Sequence, residues 1–328
     1  MKSLDKIESS IKVSNKEFIE KELLPFLRIP SNTLNKEGIT KAKSFLTSYI
    51  SKFSEKIDII EGNINPLILA SVKGRIKESI LIYMMYDTQP INKEKEWISD
   101  PFGGEIKKLP PPLEELGDCI IARGAYNSKT SLICFLNIVK KLKQINDLPI
   151  SLLLLFDGEE EIGSPTLLKL LENKKEIFKN CIDAYYPATK QDLDGTAILK
   201  LGFKGILSLT IKSFSKNKEP HSAYSAMIPN PAIDLVSLLN SIYSNNQFQI
   251  ESLKTKYKLT EVEISLINDL LEKIDIEKIK KTAGIIETIE KDPRNSFIRY
   301  LFDPTFNIST LKSGFLDDGI INMVPNKA

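Results

Sequence analysis

Three consecutive carboxylates, Glu159-Glu160-Glu161, lie inside the run Asp157-Gly158-Glu159-Glu160-Glu161-Ile162-Gly163-Ser164-Pro165. An apolar run over 149–156 precedes them, so the acids emerge at the carboxyl end of a buried strand, where α/β folds place their sites. Like charges this close repel, and a cleft that holds them needs a metal ion or a shared proton. The same triplet also suits a solvated loop entering a helix, where carboxylates favour the N-terminal dipole. Other chemistry-bearing stretches also stand where a strand meets a loop. One is Met84-Met85-Tyr86-Asp87-Thr88-Gln89-Pro90, followed by Trp97 and Asp100-Pro101-Phe102. Another is Ala122-Arg123-Gly124-Ala125-Tyr126-Asn127-Ser128-Lys129, and the last runs from Leu201-Gly202-Phe203-Lys204-Gly205 to Pro220-His221-Ser222 and Pro229-Asn230-Pro231. Taken singly, Asp87 suits a turn, Asn127 and Lys129 suit helix capping, and His221 suits a structural role.

One count constrains all of this. His221 is the single histidine among 328 residues. A mechanism with two imidazoles is excluded for this chain, and a Ser-His-Asp triad could run only through His221. Composition excludes other classes. Lys plus Arg (45) against Asp plus Glu (43) give a net charge of +2, which offers no global attraction to nucleic acid. No apolar run approaches the roughly 20 residues of a membrane-spanning helix. The N-terminus mixes charged and apolar residues without a signal-peptide core. Cys119, Cys134 and Cys181 are far apart and form no CxxC pair, so they read as free thiols of a cytoplasmic protein.

Stepping along the chain, periodicity predicts helices over 3–28, 36–53, 129–145, 164–174 and 231–243. Continuous apolar runs over 66–72, 79–86 and 149–156 predict strands buried on both faces. Residues 205–213 alternate as a half-exposed strand, and charged helical segments follow to about residue 290. The three prolines of 109–116 predict a loop. Strands alternating with helices indicate an α/β sandwich, with a boundary near 203 separating 1–203 from 204–328.

In this order, the stretches resemble the cocatalytic zinc peptidases and deacylases of the aminoacylase, carboxypeptidase and cytosolic dipeptidase type, which include acetylornithine deacetylase and succinyl-diaminopimelate desuccinylase. Gln89-Pro90, Trp97 and Asp100-Pro101-Phe102 look most like the dipeptidase and carboxypeptidase branch, and the likeness runs on to Pro304-Thr305 and Val324-Pro325. The resemblance implies a mixed-sheet α/β sandwich with an inserted α+β lid or dimerisation domain. It also implies two zinc ions and hydrolysis of small peptides or N-acyl amino acids. Glu160 matches the general base and Glu161 a zinc ligand. Asp87 matches an acid that orients a histidine ligand, and His221 matches a histidine that reaches a dimer partner's site to stabilise the oxyanion.

Elsewhere the pattern fails. Met85 stands at the histidine ligand, and Asn127 at the bridging aspartate. No acid matches the ligand expected near Tyr185-Tyr186-Pro187-Ala188, with Asp183 out of register, and the last histidine ligand would lie beyond residue 328. A thioether is a weak zinc ligand and a neutral amide cannot bridge two cations. The expectation is therefore no zinc, or less than one equivalent, and hydrolysis lost in the lone chain. Two alternatives stay open. One is a single-metal hydrolase using Glu161, Asp87 and either Glu159 or a cysteine. The other is a non-catalytic binding or regulatory subunit, forming a homodimer or mixed dimer through the lid, without nucleic-acid or membrane partners.

Overall fold

In the computed structural model, residues 3–91, 97–111, 113–187, 190–191, 197–198, 200, 202–254 and 257–328 are described; Pro112, Ala188 and Leu201 lie outside them. The chain divides into two compact units, Met1–Leu201 and Gly202–Ala328.

The first unit is built on one five-stranded mixed sheet. Its strands are β1 (Lys56–Ile60), β2 (Leu67–Val72), β3 (Ile76–Met85), β6 (Ile150–Asp157) and β7 (Cys181–Tyr185), in the order β1-β2-β6-β3-β7. β1 and β6 both run antiparallel to β2, while β3 runs parallel to β6 and β7. The runs expected at 79–86 and 149–156 are thus neighbours in one sheet. A separate two-stranded ribbon pairs β4 (Glu105–Lys108) with β5 (Asp118–Ile121) across the proline-rich loop.

Side-chain alternation explains why the central strands read as unbroken apolar runs. Ile68, Ala70 and Val72 of β2 and Leu152, Leu154 and Phe156 of β6 join the main core. The intervening Leu67, Leu69 and Leu155 face a smaller cluster with Leu170. The main core is closed by α1 (Ser3–Phe18), α2 (Lys36–Ile50) and α3 (Lys129–Gln144), with Phe26 stacked on Phe45 at 4.9 Å. The smaller cluster has α4 (Pro165–Asn173) and the turn at Lys175–Phe178.

The helix expected over 3–28 is interrupted. A π turn occupies Ile19–Leu23, then Leu24–Leu27 resumes the α form with Pro25 in its first turn. Proline brings no N–H to the ladder and clashes with the carbonyl four residues back, so the turn ahead of it widens.

The second unit contains α5 (Pro231–Ile242), α6 (Glu261–Lys273), α7 (Ile276–Thr282) and α8 (Pro293–Phe302). Each start that is capped has a side-chain acceptor: Asn230 for α5, Asp292 for α8, and a Thr260–Glu263 capping box for α6. The expectation for 205–213 is corrected here. No strand forms over it, and Ile206, Leu207 and Leu209 are exposed. Alternation supplies a face but not a partner, and a lone strand is unstable. Isolated bridges follow, Phe214 with Lys327 and His221 with Met323, and a short hairpin pairs Tyr243–Ser244 with Gln247–Phe248.

The α3 N-terminus carries an unusual charge. Lys129 is fully buried, and its Nζ donates to the carbonyls of Phe26 (3.2 Å) and Ile29 (2.5 Å), 4.9 Å from the Phe26 ring. Burial lowers its pKa from 10.5 to about 7. Between those values the unfolded chain holds a proton that the folded chain lacks, so stability rises as pH increases from about 7 to 10, by at most about 1.4 kcal/mol per pH unit. Lys129→Met is expected to flatten that rise, as urea unfolding at successive pH values will show.

Candidate active site

The carboxyl ends of β3 and β6 lie side by side, with Met85 opposite Asp157 in the register and the Tyr86 N–H donating to the Asp157 carbonyl at 2.8 Å. The acidic loop leaves β6 here as a single 3₁₀ turn, Glu160–Ile162. Gly163 ends the turn in the left-handed region at φ 90°, which favours glycine. Gly158 is needed for space: a Cβ there would sit 2.5 Å from Tyr86 Oη.

The triplet splits into distinct roles. Glu159 points inward and is fully buried. Its Oε1 accepts from the N–H groups of Ile64 (2.6 Å) and Asn65 (2.9 Å), and its Oε2 from the N–H of Thr166 (3.0 Å). Burial pushes its pKa up, but these donors outweigh it and hold the pKa below the ordinary value. This corrects the reading of Glu159 as a metal ligand, since both oxygens serve the fold. Glu160 is half-buried and its side chain bonds no described residue. Burial raises its pKa first, and the charges of Glu161 and Asp157 add to that. The Glu161 carboxylate accepts from Gln89 Nε2 at 2.7 Å.

Asp87 is fully buried behind the loop. Its Oδ2 accepts from Thr33 Oγ1 at 2.8 Å and from the Glu161 N–H at 3.2 Å, while Oδ1 has no partner among the described residues. Burial lifts its pKa to about 7 against those two donors. Asp157, to which the sequence reading gave no role, is also buried. It accepts from the Glu159 N–H (2.8 Å) and from Tyr83 Oη (3.1 Å), and burial raises its pKa. Its place as the last residue of β6 was the available signal.

The remaining expected positions gather around Ser128. Ser128 Oγ donates to the Met85 carbonyl at 3.3 Å, and its side chain also hydrogen-bonds Tyr186, which lies near the Glu160 and Glu161 charges. Asn127 precedes Ser128 across a cis peptide and is exposed. Met85 is buried. Asp183 is exposed on β7, accepting from the N–H of Ala184. The structure therefore brings Met85, Asp87, Glu160, Glu161 and Tyr186 to one sheet edge. In the second unit, His221 is exposed, and its Nδ1 accepts from the Ala223 N–H at 3.1 Å to cap the turn Ser222–Tyr224.

These donors do not fit a two-metal centre. The expected histidine and bridging-acid positions hold a thioether and an amide, and Tyr186 stands near the third. Among the described residues, no three His, Cys, Asp or Glu side chains group to hold a metal ion. No helix among the described residues is long and apolar enough to cross a membrane.

Comparison with known proteins follows this geometry. Residues 81–287 match the profile of peptidase family M20/M25/M40. The Cys-Gly metallodipeptidase dug1 of Schizosaccharomyces pombe is 25% identical, over 99% of this chain and 70% of its own length. The Beta-Ala-His dipeptidase of Rattus norvegicus is 24% identical, over 80% of this chain and 52% of its own. Among solved structures, the M20 family metallo-carboxypeptidase Sso-CP2 from Sulfolobus solfataricus superposes with a TM-score of 0.74 at 28% identity, covering 93% of this chain and 68% of that one. The chain thus spans between about half and 70% of the length of these relatives.

Glu159→Ala would leave three N–H groups without an acceptor and is expected to destabilise the first unit by about 3 kcal/mol. Glu159→Gln keeps one acceptor oxygen and is expected to cost about half of that. Urea unfolding of the two variants checks the order.

Proposed function

Because this chain belongs to peptidase family M20/M25/M40, we propose that it descends from a zinc-dependent dipeptidase or carboxypeptidase acting on small peptides or N-acyl amino acids, and that the lone chain no longer hydrolyses them. The dipeptidase and metallo-carboxypeptidase names of its relatives support the substrate class. One observation carries the loss of activity: neutral side chains, Met85, Asn127 and Tyr186, stand at or beside three expected ligand positions around Glu161, whose own carboxylate is engaged by Gln89. Glu160 keeps the position of a general base with nothing acidic enough to deprotonate. Bulk water has a pKa of about 15.7, and a metal ion lowers it to roughly 7. A carboxylate alone does not bridge that gap, even with its pKa raised by burial.

The expected result is less than one zinc per purified chain and no turnover of Cys-Gly or β-Ala-His with added zinc or manganese. Elemental analysis and a ninhydrin assay check both. About two zinc ions per chain, with turnover, would overturn the proposal. Restoring Met85→His with Asn127→Asp is not expected to recover activity, because no second histidine and no third acid are supplied.

We propose further that residues 204–328 serve as a lid or dimerisation domain. The exposed His221, with Nδ1 fixed by the Ala223 N–H, supports a role toward a partner. In a mixed dimer with a full-length relative, His221 would stabilise the oxyanion formed in the relative's site. Co-expression is expected to yield such a dimer, and His221→Ala to lower the relative's turnover about 100-fold. Unchanged turnover would return His221 to lid structure.

A further inference from the structure

The acids around the end of β6 stand without a counter-charge. Asp87 and Asp157 are fully buried and Glu160 is half-buried. Among the described residues, no Lys or Arg forms an ion pair with any of these three or with Glu161. The charges of Glu161 and Asp157 push the Glu160 pKa higher than burial alone does. Asp87 adds an orphan acceptor. Its Oδ2 faces the loop and takes the Glu161 N–H, while its Oδ1 is buried with no donor among the described residues. The cluster is short of positive charge and of hydrogen-bond donors together.

The groups beside these acids suit a different cation from a metal ion. Met85 and Asn127 offer a thioether and an amide, which hold zinc poorly in place of imidazole and carboxylate. Two other neighbours are aromatic. The Tyr83 and Tyr186 rings lie 6.0 Å apart with their planes tilted by 50°. Tyr83 Oη donates to Asp157 at 3.1 Å, and Tyr186 is hydrogen-bonded to Ser128, so both rings are held beside the acids. Aromatic faces attract organic cations, and a thioether packs readily against an alkyl chain. Zinc demands several strong ligand atoms at about 2 Å in tetrahedral array. An ammonium group brings its own N–H donors and needs only carboxylates within hydrogen-bond reach.

We propose that this sheet edge binds a primary alkylammonium group in place of metal ions, with Glu160 and Glu161 accepting its N–H groups and Tyr83 and Tyr186 walling its alkyl chain. Glu161 holds Gln89 through Oε2, which leaves Oε1 for the ligand. Binding of this kind presupposes the loss of the metal centre proposed above. A free amine and the amino terminus of a peptide both carry the group, and the experiment separates the two.

The test uses the full chain, with zinc measured by elemental analysis on the same preparation. Calorimetry follows butylammonium, tetramethylammonium, butanol, glycylglycine and N-acetyl-glycylglycine. Butylammonium is expected to bind one per chain with a Kd of about 1 mM, as two charge-assisted hydrogen bonds would give. Tetramethylammonium, a cation without N–H, is expected to bind about ten-fold more weakly, and butanol not to bind. Glu160→Gln alters a side chain that bonds no described residue and is expected to weaken butylammonium about ten-fold. Tyr186→Leu is expected to weaken it about three-fold, and circular dichroism checks that both variants fold. Glycylglycine binding more tightly than butylammonium assigns the group to a peptide terminus, and weaker binding assigns it to a free amine; acetylation abolishes binding in both cases. Three results each overturn the proposal and leave the loss of the metal centre standing. These are a zinc-free chain that binds no amine at about 10 mM, tetramethylammonium binding as tightly as butylammonium, and affinity unchanged by Glu160→Gln. About two zinc ions per chain would overturn both readings together.

Discussion

A buried carboxylate that forms no salt bridge among the described residues holds the first unit's loops in place. Glu159 offers both oxygens to main-chain N–H groups, two from the loop before β2 and one from the first turn of α4. Asn65, fastened there, passes its side-chain amide to the carbonyls of Thr33 and Gly158, each at 2.7 Å, and Thr33 in turn donates to Asp87. Segments distant in sequence are thus joined around one charge. Burying an anion is costly unless its lone pairs are filled, and here three donors fill them. The geometry of Glu160 and Glu161 follows from this anchor.

The family's scaffold is kept around side chains that differ from the family pattern. Asp87 still takes two hydrogen bonds behind the loop, yet its Oδ1 has no donor among the described residues. Met85 stands two residues before it, where the family pattern has an imidazole. A thioether has no N–H to give a buried acid. Burial lifts the Asp87 pKa to about 7, and its second oxygen has no donor among the described residues to oppose that. Lys129 makes the complementary case: burial without a carboxylate partner favours the neutral amine. In both residues, burial is the largest influence on the charge.

Most of the first unit was legible in the residues themselves. Continuous apolar runs marked β2, β3 and β6 because strands buried on both faces need no alternation, and the long helices showed their period. β1, β4, β5 and β7 were missed, being four or five residues long with at most one buried position each, so burial left little trace in their composition. The strand read over 205–213 did not form, because alternation records a preference and pairing requires a neighbour.

The candidate site was likewise read from the chain alone: one histidine, methionine and asparagine where the resemblance leads one to expect ligands, and an acidic triplet after a strand limit the chemistry proposed for it. Sequence could not decide how that triplet divides. Three identical side chains in a row carry no sign of direction, and only the turn leaving β6 sends Glu159 into the interior and leaves Glu160 and Glu161 at the sheet edge. Residue type determined the available chemistry, and packing determined which groups are free to perform it.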